Sequence, residues 1–270
     1  MVRRGRIMEK RRYKPLRPKP FSQGTKGNHV VGIHPVNELL KSDKEVERVL
    51  ITKELLSRQE GINILYQCRQ RRIPCQTVPA EKLNRVSQKV HQGVIAFIGL
   101  IQYQEIGHLL PFIFEEGKIP FFLVLDRITD VRNFGAIARS AECAGVQAII
   151  VPDKGAAQIN EDAIKTSAGA LHHIPVCREK DLIKALDFLS QSGLTLVACT
   201  EKGDESLFKT DFSGPVAIIM GSEEDGISDA ILRKADHLAF IPQAGKIGSL
   251  NVSVATGIAL FEAMKQRTNP

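Results

Sequence analysis

The chain has 270 residues, enough for one large domain or two smaller ones. Its hydrophobic fraction is 43%, and no apolar run approaches the roughly 20 residues of a membrane helix. No apolar segment follows the charged N-terminus, so we expect no signal peptide. The five cysteines form no C-x-x-C pair, and neither Cys nor His clusters at ligand spacing. We therefore expect a cytoplasmic protein with reduced thiols, no metal site and no membrane association.

The positive charge is concentrated at the N-terminus. Residues 1–29 hold ten Lys or Arg and one acid, whereas the remaining residues hold 27 bases and 29 acids. Pro15, Pro18 and Pro20 exclude a regular helix there. We assign residues 1–28 to a basic disordered arm that contacts phosphate groups. A solvated tail without a partner is the alternative.

Residues 29–101 have the alternating strands and helices of a small α/β domain. Ser57 and Glu60 have the spacing of a capping box, which predicts that the second helix begins at Ser57. Residues 102–119 contain glycines and prolines and predict a linker, and their apolar side chains indicate that part of it packs on a domain. Predicted strands are 30–33, 46–51, 75–78 and 94–100, and predicted helices are 35–41, 57–71 and 80–88.

Residues 120–270 form a second α/β pattern. Its strands are continuously apolar, which is typical of a parallel sheet buried on both faces. In such sheets ligands bind beyond the carboxyl ends of the strands, so the loops there are candidate sites. Predicted strands are 121–125, 148–151, 173–176, 194–198, 216–220 and 238–241, and predicted helices are 133–144, 160–167, 181–192, 228–235 and 252–267.

The loop that follows the first of these strands carries Arg132, Asn133 and Arg139 at the start of a helix. Guanidinium and amide donors near a helix N-terminus favour an anion or phosphate site. A capped helix with one surface arginine is the alternative interpretation.

The loop Gly221–Gly226 nearly matches a phosphate-binding loop, but Ile227 stands where that loop needs Lys. Its three acids would also repel phosphates, so we do not expect a nucleotide-triphosphate site. The chain has no G-x-G-x-x-G pattern either, which argues against a dinucleotide fold.

The third loop, from Ile241 to Ala255, contains two glycines that let its backbone approach a ligand closely. Ser249 and Asn251 lie where this loop becomes a helix. Both are good N-cap residues, so a helix cap is the simplest interpretation of each alone.

Together the three loops resemble the motifs of the SpoU/TrmH family of RNA 2′-O-ribose methyltransferases. The patterns are Asn-x-Gly-x-x-x-Arg from Asn133, Gly-x-Glu-x-x-Gly from Gly221, and Pro-x-x-Gly-x-x-x-Ser-Leu-Asn-Val-Ser-x-Ala from Pro242. The front unit, with Gly32-Ile-His-Pro-Val-Asn-Glu-Leu-Leu and His91-Gln-Gly-Val-Ile-Ala, is similar to the ribosomal-protein-like substrate-binding domain of a subgroup that modifies a guanosine in 23S rRNA.

The resemblance implies a SPOUT fold for residues 120–270, an α/β domain with a mostly parallel sheet and a C-terminal trefoil knot. It also implies a homodimer, S-adenosylmethionine (SAM) as methyl donor, and no metal. Arg139 would activate the ribose hydroxyl or clamp an RNA phosphate. The implied catalytic residues are Asn133, Arg139, Glu223, Ser249 and Asn251, and the implied SAM-binding residues are Gly221, Ile241, Leu250 and, as a weaker candidate, Thr200.

The implied reaction is SAM-dependent methyl transfer to the ribose 2′-hydroxyl of a guanosine in 23S rRNA. Its substrate would be the free rRNA or an assembly intermediate of the large ribosomal subunit. A tRNA 2′-O-methyltransferase and a non-catalytic rRNA-binding or assembly factor are the alternatives. The front unit argues against the tRNA enzyme, and the filled catalytic positions argue against the non-catalytic factor.

Overall fold

A computed structural model describes residues 29–157 and 159–268. The predicted basic arm, residues 1–28, lies outside the described residues. The rest of the chain forms a small N-terminal α/β domain and a larger C-terminal one, each built around its own sheet. No helix of the described ranges is long and apolar enough to cross a membrane.

The front domain has a four-stranded sheet in the order β1-β4-β2-β3, in which only β2 and β3 are parallel. One face packs against α1, α2 and α3, and the other against α4. Its elements are β1 (His29–Val31), α1 (Ile33–Lys41), β2 (Val46–Ile51), α2 (Lys53–Leu56), α3 (Gln59–Gln70), β3 (Cys75–Thr77), α4 (Ala80–Val86) and β4 (Val94–Ile98).

The predicted capping box at Ser57 is wrong. The side chain of Thr52 accepts a hydrogen bond from Leu55 N, so a short helix, α2, already begins after β2. Ser57 ends that helix and donates its hydroxyl to the carbonyl of Glu54 at 2.8 Å. The next helix packs so tightly on α2 that a Cβ at Gly61 would lie 2.0 Å from the Leu55 carbonyl oxygen.

The C-terminal domain has an eight-stranded sheet in the order β10-β12-β9-β11-β6-β7-β8-β5, and all of its ladders are parallel. The predicted mostly parallel α/β fold is therefore confirmed. Its strands are β5 (Tyr103–Gln104), β6 (Phe121–Leu125), β7 (Ala148–Pro152), β8 (Val176–Glu179), β9 (Thr195–Cys199), β10 (Glu205–Ser206), β11 (Val216–Met220) and β12 (His237–Phe240).

Helices cover both faces of this sheet. Alternate residues of β6 point to opposite sides: Leu123 packs with α6, α7 and α10, and Val124 packs with α5, α8 and α9. The continuous apolar strands follow from this double burial. The helices are α5 (Ile106–Glu115), α6 (Val131–Cys143), α7 (Glu161–Thr166), α8 (Leu182–Gln191), α9 (Asp229–Leu232) and α10 (Val252–Thr268), with short 3-10 helices at Ala170–His172 and Leu207–Lys209.

One predicted strand, residues 173–176, is displaced by three residues. Gly169 is left-handed (φ 87°) and begins a 3-10 turn that occupies residues 170–172. The ladder begins only at Val176, which follows Pro175, and the Pro175 carbonyl accepts Ile149 N at 2.9 Å. The helix predicted at 228–235 is also shorter, since α9 ends at Leu232.

Residues 102–119 contain regular structure. β5 extends the large sheet beside β8, and Leu110 and Ile113 of α5 are buried against the sheet. The expected packing of this segment is therefore confirmed. The boundaries 29–101, 102–119 and 120–270 stay a prediction.

Candidate functional site

Four loops of the C-terminal domain leave the same edge of the sheet. They follow β6, β9, β11 and β12, which are neighbours in the order β12-β9-β11-β6. Because these strands are parallel, their carboxyl ends meet at one edge, where ligands of open α/β sheets bind. All predicted catalytic and cofactor residues lie on these loops or on the helices that follow them.

Three predicted residues from three loops form one hydrogen-bonded cluster. The amide nitrogen of Asn251 donates to Glu223 Oε1 at 2.5 Å and to Asn133 Oδ1 at 3.1 Å. The amide nitrogen of Asn133 donates to Glu223 Oε2 at 3.3 Å. Each side chain thus contacts the other two, and the carboxylate accepts from both amides. We refer to Asn133, Glu223 and Asn251 as the polar cluster.

The first loop presents Asn133 through the start of α6. Asp130, rather than Asn133, caps this helix, because its Oδ1 accepts Asn133 N at 2.7 Å. The helix therefore begins at Val131, two residues earlier than predicted. This leaves the Asn133 side chain free to reach Glu223 from the first helical turn.

The second loop presents Glu223 from a closed turn. Ser222 and Gly226 exchange two backbone hydrogen bonds of 3.2 and 3.0 Å, and Gly226 is left-handed (φ 65°). A Cβ at Gly221 would lie 2.1 Å from the carbonyl carbon of Gly226, so only glycine fits at the start of this turn.

The third loop presents Asn251 as the cap of α10. Its Oδ1 accepts Ser253 N at 3.0 Å and Val254 N at 3.4 Å, which confirms the predicted cap. Its amide nitrogen faces the other way, into the polar cluster. Glu223 Oε1 also accepts Val252 N at 3.3 Å, so one carboxylate holds both the cap residue and the first helical residue.

The cofactor candidates line the same edge. Thr200 N donates to the Ala239 carbonyl at 2.9 Å, which places the loop after β9 beside β12. Ile241 packs partly on the core, whereas Leu250 is 38% exposed. Within the described part of the chain, the peptide groups of residues 242–250 have no hydrogen-bond partner, and all nine residues are exposed. Their donors and acceptors are available to a ligand.

This edge fits SAM in two respects. A strip of free peptide groups can bind an adenosine and an amino acid moiety without special side chains. The carboxylate of Glu223 lies in the adjacent loop and complements a sulfonium cation. Burial raises the pKa of Cys199, at the end of β9, to about 12, so this thiol stays protonated and is not a nucleophile.

Two predicted catalytic residues do not take part in the hydrogen bonds of the polar cluster. Arg139 is exposed on α6, six residues after Asn133, and has no hydrogen-bond or ion-pair partner among the residues that the structure describes. Ser249 is exposed in the loop before α10, and among the described residues its side chain makes no hydrogen bond to the three cluster residues.

The structure adds Asp126 and Arg127, to which the sequence patterns assign no role. The Asp126 side chain is nearly buried, and its Oδ2 accepts Ser228 N at 2.8 Å. Arg127 is left-handed (φ 59°) and reaches Asp225 and Gly226. In the sequence, the only signal for a role of this pair is an acid and a base directly after a buried strand. No group of three or more His, Cys, Asp or Glu in the described ranges could hold a metal ion.

Comparisons with known proteins cover both domains. Residues 120–261 match the SpoU rRNA Methylase family, and residues 29–104 match the RNA 2′-O ribose methyltransferase substrate binding domain. The 23S rRNA (guanosine-2′-O-)-methyltransferase RlmB of Escherichia coli K12 is 36% identical over 242 residues, 88% of this chain and 98% of the relative. The putative TrmH family tRNA/rRNA methyltransferase YacO of Bacillus subtilis is 32% identical, covering 90% and 97%.

Among solved structures, the SpoU methyltransferase AviRb from Streptomyces viridochromogenes in complex with AdoMet superposes with a TM-score of 0.57. It is 25% identical, and the alignment covers 90% of this chain and 91% of that one. The sheet, its carboxyl-edge site and the front domain together define a two-domain RNA ribose methyltransferase. The chain belongs to the SpoU rRNA methylase family, and the resemblance drawn from its three loops is confirmed.

Proposed function

We propose that this protein transfers a methyl group from SAM to the ribose 2′-hydroxyl of a guanosine in 23S rRNA. The observation that carries the proposal is the polar cluster, Asn133, Glu223 and Asn251, at the edge where the free peptide strip 242–250 lies. The RlmB relative, whose name states this activity, matches both domains rather than the catalytic one alone.

Gly221, Ile241 and Leu250 would hold SAM through backbone groups and apolar contact, with Thr200 at the margin. When bound, SAM supplies an electrophilic methyl group on a sulfonium centre. The polar cluster ties the loops after β6, β11 and β12 together, so it fixes the position of this group relative to the bound ribose. Positioning of two reactants can account for a large part of a transfer rate without a metal ion.

Arg139 would orient the RNA. A guanidinium remains a cation in proteins and presents several donors, so it suits a phosphate clamp better than a general base. Its exposed side chain, which has no partner among the described residues, supports this role. Ser249, exposed in the loop that leads to Asn251, would contact the ribose or the donor. In the transfer, the ribose oxygen would bond to the methyl carbon while the C–S bond breaks. S-adenosylhomocysteine would leave with the electron pair of that bond, and the hydroxyl proton would pass to solvent water.

We also propose a cytoplasmic homodimer with a trefoil knot. Two exposed apolar residues one heptad apart on α10, Val254 (52% exposed) and Phe261 (43% exposed), support a helix face covered by a second copy. Arg139 would then reach the site of the partner copy. The knot is supported by the chain path: β12 lies between β10 and β9, and α10 returns to pack on α6.

Methyl transfer from SAM to 23S rRNA fragments, followed by mapping of the modified nucleotide, tests this proposal. We expect one 2′-O-methylguanosine in 23S rRNA. Modification of tRNA instead would mean that tRNA, and not 23S rRNA, is the substrate. The name of the YacO relative, a tRNA/rRNA methyltransferase, includes both. Absence of SAM binding would favour a non-catalytic rRNA-binding or assembly factor. A large-subunit assembly intermediate should be assayed beside the free rRNA, because either can be the substrate.

A further inference from the structure

Arg127 makes contacts that the proposed function leaves unused. It follows β6 directly, and its left-handed backbone (φ 59°) is a conformation that residues with a Cβ rarely adopt. Such strain persists only where the surroundings hold the residue in place, and it clusters at functional sites. The side chain shows what holds it here.

The guanidinium of Arg127 forms two hydrogen bonds with the loop that carries Glu223. Nη1 donates to Asp225 Oδ2 at 3.1 Å, and Nη2 donates to the Gly226 carbonyl at 3.1 Å. A planar guanidinium can make both bonds at once, whereas a lysine ammonium has no such fork. Arg127 therefore contacts both a side chain and the backbone of the closed turn.

Asp126 forms hydrogen bonds with backbone groups on either side of the same turn. Its Oδ2 accepts Ser228 N at 2.8 Å, and its Oδ1 lies 3.4 Å from the buried Nε of Arg127. Its own N donates to the Met220 carbonyl at 2.8 Å, which extends the β6–β11 ladder to the base of the loop. Two consecutive residues thus hold the loop where it leaves the sheet and along its C-terminal half.

We propose that Arg127 is a positioning residue that acts through the Gly221–Gly226 turn to fix Glu223 in the polar cluster. The proposal rests on the proposed function for the consequence in catalysis, but the anchoring itself does not. Held at Asp225 and Gly226, the closed turn presents Glu223 at the point where it meets Asn251 and Val252 N. Without Arg127 the turn loses its two side-chain anchors at Asp225 and Gly226, and the carboxylate moves relative to both partners.

Hydrogen exchange of the free protein tests the anchoring without any substrate. Val252 N bonds to Glu223 Oε1 and makes no contact with Arg127, so its exchange rate reports the position of Glu223. In Arg127→Ala we expect the Val252 amide to exchange about tenfold faster, because the opening free energy of a local contact sets that rate. Arg233→Ala, which removes an exposed arginine at the end of α9, is the matched control and should leave it unchanged.

Activity with SAM and 23S rRNA fragments then tests the consequence. We expect kcat to fall by about 10- to 100-fold in Arg127→Ala, since a small misplacement of a positioning group can cost that much. The KM for SAM should rise and the KM for RNA should not. Arg127→Lys should be impaired nearly as much, whereas Asp225→Asn, which keeps an acceptor oxygen, should retain most activity.

The conservative variants separate geometry from charge. Full activity of Arg127→Lys together with loss in Asp225→Asn would make the contact a charge effect and would overturn the proposal. Unchanged Val252 exchange in a folded Arg127→Ala would overturn it as well.

If Arg127→Ala does not fold, Asp225→Ala is the second variant. It removes the Nη1 bond from an exposed carboxylate and should raise Val252 exchange to a smaller extent. No rise would contradict the proposal. An inactive wild type with these exchange effects would count against the proposed function alone.

Discussion

Glu223 and Asn251 are hydrogen-bonded at 2.5 Å, and this bond joins the loop after β11 to the start of α10. Asn251 turns its oxygen to the amides of α10 and its nitrogen to Glu223, so one side chain both caps a helix and closes the site. The oxygen of one side-chain amide thus caps the helix, and the nitrogen of the same amide bonds within the polar cluster. Replacement of either residue should loosen the site without unfolding the sheet.

Glu223→Ala should lower kcat for methyl transfer by about 10- to 100-fold, because the cluster loses the acceptor that joins its two amides. Glu223→Gln keeps one oxygen and should lose less. The measurement is the transfer rate of tritiated methyl from SAM to 23S rRNA at saturating RNA. Glu224→Ala, in the same loop but without a side-chain contact in the described residues, is the control. Equal loss in both variants would mean that loop charge, and not the cluster, matters.

Arg139→Ala should nearly abolish methyl transfer and leave the melting temperature unchanged, because the side chain is exposed and without a partner in the part of the chain that the structure describes. Transfer at the wild-type rate would contradict the assigned role. Lys265→Ala, an exposed cation at the far end of α10, is a control of equal charge.

Mixing two impaired variants tests whether Arg139 serves the partner copy. In a mixed dimer of Arg139→Ala and Glu223→Ala, one site keeps both wild-type residues only if Arg139 crosses the interface. Random pairing then restores about one quarter of the wild-type activity, since half of the dimers are mixed and each has one intact site. No recovery after subunit exchange, with mixed dimers verified by mass spectrometry, would place Arg139 in its own subunit's site.

The sequence predicted the parts of the site that depend on local patterns. The apolar strands and the three loop patterns located the carboxyl edge, and Asn251 was correctly predicted as a cap. The contact of Asn251 with Asn133 joins positions 118 residues apart, and local periodicity carries no information on such a distance. The pairing came from the family resemblance instead.

The wrong predictions share a cause. In both, the predicted type of element is present but its position is set by a nearby residue. At Ser57 the helix begins earlier, because Thr52 caps α2, and at residues 173–176 the strand begins later, because a 3-10 turn follows Gly169. The role of Arg127 was not predicted, because neither its left-handed backbone nor its contact with Asp225 can be inferred from the sequence pattern.

Removal of residues 1–28 should weaken RNA binding and flatten its dependence on salt. These residues carry all of the excess positive charge of the chain, and each phosphate contact contributes about 0.7 to 0.9 to the slope of log K against log salt. The measurement is the dissociation constant for an rRNA fragment between low and moderate salt, for the full chain and the shortened one. An unchanged slope would show that the arm makes no phosphate contacts. The truncated protein should keep its affinity for SAM, which serves as the control for folding.

Glu47 should make the stability of the front domain depend on pH. Burial raises the pKa of its carboxyl above the ordinary 4.5, and the nearby Arg48 and Arg178 offset this only in part. One carboxylate oxygen, Oε1, is buried without a hydrogen-bond partner. A raised pKa means that the folded state binds the proton more tightly than the unfolded state. The stability gained from that proton is full below pH 4.5 and is lost as the pH rises through the folded value.

Glu47→Gln should therefore stabilise the protein at pH 7, by roughly 1 kcal/mol, because it removes a buried charge whose solvation is incomplete. Because the pKa of Glu47 is raised, the difference in melting temperature between the variant and the wild type should be smaller at pH 4 than at pH 7. Denaturation curves at both pH values provide the measurement, and Glu60→Gln, an exposed glutamate of α3, should shift neither. A loss of stability at pH 7 would mean that the attraction of Arg48 and Arg178 outweighs the desolvation of the carboxylate.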